Sequence, residues 1–152
     1  MQVKKEEMRL EILKAAESEF YIRGYRDASM RTISKKANTT LGNIYNYFEN
    51  KDALFDAVIG HIPVAIENFI SFHRSINTKN LSRYNYPTLL RDILPTAFPL
   101  DLMLSRPFII FLEGSDGTQY EAIRLSLLKD FSDHICDHLQ LQTDSTLGAA
   151  IF

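Results

Sequence analysis

The sequence predicts an all-α fold, and three observations carry that prediction. Apolar residues recur every three or four positions through most of the chain, and Ser, Thr, Asn, Gly or Pro punctuates the runs. The one stretch that could be mistaken for a buried strand, from Phe108 through Ile109, Ile110 and Phe111 to Leu112, finds no second strand to pair with.

Taken in order, residues 4–23 form a first helix with Met8, Ile12, Ala15 or Ala16, and Phe20 on its inward stripe, and Gly24 stops it. Ser29 caps a second helix by offering its hydroxyl to an orphan backbone N–H, and Met30, Ile33 and Ala37 fall on one apolar face. Asn38 ends that helix, because Asn tolerates the left-handed conformation better than other residues with a Cβ. Thr39 or Thr40 caps a third helix. Its inward residues are Leu41 or Ile44 with Phe48, which leaves Asn43, Tyr45, Asn46 and Tyr47 largely outside.

Asn50 caps a fourth helix that begins at Lys51 and buries Leu54, Phe55, Val58 and Ile59. Gly60 and Pro63 then impose a kink or a break. Residues 64–76 resume as a helix too apolar for a one-sided surface. Residues 77–85 read as a polar loop, and Pro87 opens a helix running to about Phe98. Pro99 and Pro107 punctuate two short apolar helices, a turn follows at 114–117, and a last long helix spans about 118–141 with Leu128, Phe131, Ile135 and Leu139 on one stripe.

The second and third helices together have the layout of a helix-turn-helix, in which one helix braces across the phosphate backbone and the next offers polar side chains to base edges. A helix built for burial would not place Asn43, Tyr45, Asn46 and Tyr47 so close together. Charge agrees with this reading. The net charge of −2 divides into ten Lys or Arg against eight Asp or Glu over residues 1–52, and seven against eleven over the remainder. The basic part coincides with the motif, where Arg23, Arg26, Arg31, Lys35, Lys36 and Lys51 face only Asp27 and Glu49.

On these residues the chain resembles the TetR/AcrR family of transcriptional regulators. The shared features are Ala15, Ala16 and Phe20, Gly24 with Tyr25, Ser29 to Arg31, Ile33, Ala37, Gly42, Tyr45, Tyr47, Phe48, Lys51 and Leu54. They cover about the first third of the chain. The sequence departs from the family at Asn38, where Gly is usual, at Thr39, where Val is usual, and at Leu41, where a basic or polar residue is common.

The resemblance implies an N-terminal three-helix DNA-binding domain at residues 1–50 and a helical ligand-binding and dimerisation domain at 51–152. It also implies a homodimer on a double-stranded, palindromic DNA operator, a small-molecule effector, and repression as the mode of action. The expected DNA-binding residues are Arg31, Thr40, Leu41, Gly42, Asn43, Tyr45, Asn46, Tyr47 and Lys51. Asn43, with Asn46 behind it, suits base reading, because an amide pairs bidentately with adenine. Leu41 can touch a thymine methyl. Arg31, Thr40, Tyr45, Tyr47 and Lys51 suit phosphate positioning, and Gly42 allows close approach to a neighbouring helix or to DNA.

For the second domain the expected ligand wall is Phe69, Phe72, Phe98, Met103, Phe108 and Phe111, with His73 or Arg106 giving polar orientation. The family pairs two C-terminal helices across its dimer, and the apolar finish from Leu147 to Phe152 fits a truncated or naturally short member.

Other chemistries are disfavoured. Ser115 lies between glycines without the spacing of a nucleophile elbow, and the sequence has neither a glycine-rich phosphate loop nor paired cysteines. Asp130, His134, Asp137 and His138 share a helix, but that face borders the apolar stripe and offers too few ligands for a structural metal. No enzyme, cofactor or metal is expected. One cysteine, Cys136, and the lack of a long apolar run point to the cytoplasm, without a membrane partner. The alternative to a DNA-binding regulator is a helical protein-interaction module.

Overall fold

The computed structural model describes residues 2–75 and 100–139. Every regular element among them is an α-helix: α1 Gln2–Asp27, α2 Met30–Lys36, α3 Leu41–Tyr45, α4 Lys51–Ile59, α5 His61–Ser75, α6 Leu100–Met103, α7 Arg106–Glu113 and α8 Tyr120–Leu139. The expected loop at 77–85, the helix from Pro87 to Phe98 and the finish from Leu147 to Phe152 lie outside the described residues.

The local signals act where the sequence places them. Ser29 Oγ accepts from the Thr32 amide at 3.4 Å, Thr40 Oγ1 from Asn43 at 3.1 Å, and Asn50 Oδ1 from Ala53 at 2.7 Å. Each cap satisfies one of the donors that a helix start leaves unpaired. Asn38 makes the turn between α2 and α3 at φ 49°, the left-handed conformation expected of it. The α3 helix is shorter than its apolar pattern suggests: Asn46 is its C-cap, and Tyr47 and Phe48 follow in a tightened turn bonded back to the Ile44 carbonyl.

The helix is interrupted at Gly60, between α4 and α5, with Pro63 close behind it, as expected. Pro63 is buried in the first turn of α5, where the amide it lacks would have no intrahelical acceptor. Gly60 has room only for hydrogen, since a Cβ there would stand 2.6 Å from the Asp56 carbonyl oxygen. A cap that sequence reading missed is Ser105, whose Oγ accepts from the Phe108 amide at 3.3 Å and starts α7. On α8 Tyr120 and Leu127 are buried, and Leu128 of the expected stripe lines a cavity beside Leu127; the side chains of Phe131, Ile135 and Leu139 lie outside the described residues.

One apolar cluster runs from Ile12 and Phe20 on α1, through Ile33 on α2, Ile44 on α3 and Phe55 on α4, to Ile110 and Phe111 on α7 and Leu127 on α8. It therefore crosses residue 50 without interruption. At its middle, Phe55 meets Phe20 edge-on at 4.9 Å and Tyr25 at 5.1 Å, with Tyr120 at 6.2 Å.

Beside this cluster α1 and α7 touch backbone to backbone. Gly24 has φ 66° and ψ 179°, and the next amide, of Tyr25, donates to the Gly114 carbonyl at 2.7 Å. A Cβ on Gly24 would lie 3.4 Å from the Gly114 Cα, and one on Gly114 would lie 3.1 Å from the Gly24 Cα. Side chains rarely adopt the Gly24 conformation, which costs an L-residue on the order of 1–3 kcal/mol. Gly24→Ala is therefore expected to lower unfolding free energy by about 1–3 kcal/mol, measured as a shift in urea midpoint with unchanged slope.

Candidate nucleic-acid interface

The α2–turn–α3 unit is held on α1 by its buried face, with Ile33, Ala37, Ile44 and Phe48 in the core. One polar contact fixes it further. The Glu19 carboxylate, 6% exposed, accepts from Lys36 Nζ at 2.8 Å and from the Ser29 amide at 3.4 Å. Burial alone would raise the Glu19 pKa, but the Lys36 and Ser29 bonds outweigh it and hold the group below its ordinary value of 4.5. Lys36 is thereby committed to the fold.

The outer face of the unit carries the expected DNA-binding residues in graded exposure. Arg31, Thr40, Gly42, Tyr45 and Asn46 are exposed, while Leu41, Asn43, Tyr47 and Lys51 are half-buried. Asn43 Nδ2 donates to Thr39 Oγ1 at 2.8 Å, so its amide is already oriented by the turn. Among the described residues, nothing outside its own helix lies within 4 Å of where a Gly42 Cβ would stand, so helix packing does not require glycine there. Tyr47 packs partly against the core.

Lys51 is engaged within the protein. Its Nζ donates to the Arg26 carbonyl at 3.2 Å and sits 4.5 Å from the Tyr25 ring centroid. Burial lowers its pKa against the pull of Asp27, Asp52 and Glu19. Tyr25 in turn donates to Asp52 at 2.5 Å, and burial together with that carboxylate pushes its hydroxyl up to about 12. Lys35, which the sequence places in the basic stretch but which is not among the expected DNA-binding residues, is exposed and lines an open polar depression with Asn38, Thr39 and Thr40. Only the left-handed turn at Asn38 brings these four together.

The second region contains a cavity of about 180 Å³ lined by Ile66 and Phe69 of α5, Leu102 and Met103 of α6, Phe108, Phe111 and Leu112 of α7, and Leu127 and Leu128 of α8. Four of the expected wall residues, Phe69, Met103, Phe108 and Phe111, are thus together. Arg106 is not among the lining residues; it lies on the surface, 5.4 Å over the Tyr21 ring and 3.9 Å from Glu17. Phe98 and the side chains of Phe72, His73, His134, Asp137 and His138 lie outside the described residues. Left empty, such a void would forfeit on the order of 4 kcal/mol of packing, at ~24 cal/mol per Å³.

Ser115 is buried with its hydroxyl donating to the Phe111 carbonyl at 2.7 Å, and Arg124 donates to the Leu112 carbonyl at 2.9 Å. Both finish the C-terminal end of α7 by satisfying carbonyls that have no intrahelical partner.

Residues 12–58, from the first buried turn of α1 to the last turn of α4, match the tetR family of bacterial regulatory proteins. This part of the chain is a TetR-type segment. Two similar proteins, both from Bacillus subtilis (strain 168), are described as uncharacterized HTH-type transcriptional regulators. YdgC is 34% identical over 86 residues, covering 55% of this chain and 44% of that protein. YhgD is 32% identical over 74 residues, covering 43% of this chain and 39% of that protein. The chain thus spans less than half the length of either relative. The TetR match covers α2 and α3 with both of the helices that hold them, while the cavity lies wholly beyond it. A family of regulatory proteins also agrees with the expectation that the chain is not an enzyme.

The Glu19–Lys36 contact sets a pH dependence for this TetR unit. A carboxyl held below its ordinary pKa stabilises the fold above about pH 4.5, and that contribution is lost as pH falls through the lowered folded value. Lys36→Ala is expected to cost roughly 1–2 kcal/mol near neutral pH, the lower part of the range for a charged hydrogen bond because Lys36 is partly solvated. Urea unfolding at a series of pH values checks this: the difference from the native protein shrinks toward zero in acid.

Proposed function

We propose that this protein is a ligand-responsive transcriptional repressor that binds a palindromic operator as a homodimer. The observation that carries the reading is α3, a short capped helix within the TetR-matched unit, with Thr40, Gly42, Tyr45 and Asn46 exposed and Asn43 oriented by Thr39. In a dimer two such helices enter successive major grooves about 34–36 Å apart. Asn43 and Asn46 read bases, Leu41 lies against a thymine methyl, and Arg31, Thr40, Tyr45, Tyr47 and Lys51 position phosphates. Lys35 and Thr39 join the phosphate contacts from the depression beside the turn.

Support for dimerisation comes from α8, which leaves Leu125 57% exposed and Ile123 36% exposed. No helix among the described residues is long and apolar enough to cross a membrane, and the cytoplasm, where DNA is met, is the proposed location. Residues 1–50 act as the reading head and 51–152 as the sensing and dimerising part.

Support for ligand response comes from the cavity walls. The α7 wall ends at Gly114, against Gly24, and the α8 wall begins at Tyr120, which donates to Asp56 of α4. Any ligand that moves these walls moves the two helices that flank α2 and α3. A hundredfold loss of operator affinity requires about 2.7 kcal/mol of preference for the low-affinity state. The break at Gly60, with Pro63 seated in the turn behind it, is the proposed lever.

Fluorescence anisotropy against DNA from directly upstream of the gene, beside a scrambled duplex and at two salt concentrations, tests the reading. Tighter binding to the native fragment that persists at the higher salt is expected; equal binding to both duplexes, lost together with salt, overturns it. Gly42→Ala separates DNA approach from folding. It is expected to leave stability unchanged or raise it by about 0.5–1 kcal/mol, as alanine replaces glycine in a helix, while weakening native-fragment binding at least threefold in the same assay.

A further inference from the structure

We propose that the cavity between α5, α6, α7 and α8 takes an uncharged, apolar small molecule about the size of one aromatic ring. The inference rests on the ligand-responsive reading above and supplies the chemistry of the ligand. Every described residue lining the cavity is apolar, and the walls come from four helices that approach from different sides.

Size and chemistry both select. A cavity of about 150 Å³ lined by Leu, Ile and Phe stays dry and binds benzene, and this one measures about 180 Å³. Phe69, Phe108 and Phe111 offer ring faces and edges, and Met103 offers a flexible, polarizable side chain that adapts to an irregular ligand. Among the described residues the surroundings offer an entering charge no partner. The α7 cation, Arg106, is turned toward Tyr21 and Glu17, and Arg124 is committed to Asp116 at 2.8 Å and the Leu112 carbonyl. A carboxylate or ammonium entering the cavity would lose its hydration without gaining a partner among the lining residues.

Thermal unfolding and titration calorimetry of the full chain, without DNA, test this with toluene, benzoate and benzylammonium at matched concentrations. Toluene is expected to bind saturably with a sub-millimolar constant and to raise the unfolding temperature with concentration; the two ions are expected to do neither. Leu102→Phe and Leu128→Phe fill the cavity from separate walls, and each is expected to weaken toluene binding at least tenfold without lowering the unfolding temperature. If one variant does not fold, the other decides.

Absence of saturable toluene binding, an equal response to either ion, or undiminished binding in the folded filled variants overturns the proposal. Because no DNA is present, these outcomes are independent of operator recognition. A protein that binds toluene but reads no operator fails the regulator reading alone, and one that reads its operator but ignores toluene fails this inference alone.

Discussion

The close approach of Gly24 to Gly114 is the constraint on which the arrangement of helices depends. The positive φ of Gly24 and the tight fit at Gly114 let two helix ends meet at backbone distance, and the Tyr25 amide then reaches the Gly114 carbonyl at 2.7 Å. That bond fixes α1 against α7. The aromatic cluster beneath it, centred on Phe55, fixes α4 against both. With α1 and α4 set, α2 and α3 have one place to lie, where Ile33, Ala37, Ile44 and Phe48 are buried and the polar face of α3 is turned outward.

Polar groups near this junction are paired in ways that reinforce the same geometry. Tyr25 donates to Asp52, Tyr120 donates to Asp56, and Lys51 caps the Arg26 carbonyl. Among the described residues no buried side-chain nitrogen or oxygen lacks a partner, so little free energy is spent on unsatisfied groups. Burial and the Asp56 carboxylate push the Tyr120 hydroxyl up to about 12, which keeps it a donor across the physiological range. The helix that carries Tyr120 also forms one wall of the cavity, so the packing of the second region and the placement of α4 share one element.

Much of the N-terminal third was legible because its signals are local. Ser29, Thr40 and Asn50 sit where a hydroxyl or amide reaches an amide two or three residues on, and Asn38 adopts the conformation its side chain tolerates; neither depends on distant residues. Periodicity identified Ile12, Phe20, Ile33, Ile44 and Phe55 as core for the same reason. Where the local signals ended, tertiary contacts intervened. Tyr120 and Leu127 are buried on α8, and Tyr120 is held there by its bond to Asp56 of α4, which periodicity does not reveal. At the break after α4, the missing side chain of Gly60 is required by the Asp56 carbonyl, a contact that composition alone does not show.

By itself the sequence determined the helical class, the caps and turn of the helix-turn-helix, and the resemblance to TetR regulators, all of which depend on residues a few positions apart. Tertiary structure decided which cations face outward. Lys36 is bonded to Glu19, Lys51 is held half-exposed by the Arg26 carbonyl and the Tyr25 ring, and Lys35 stays exposed beside Thr39. It also decided which wall residues enclose the cavity, bringing Phe69 and Phe111 together while leaving Arg106 on the surface. Composition can nominate an aromatic wall or a basic surface, but the direction of each side chain is settled only when helices far apart in the chain pack and compete for the same space.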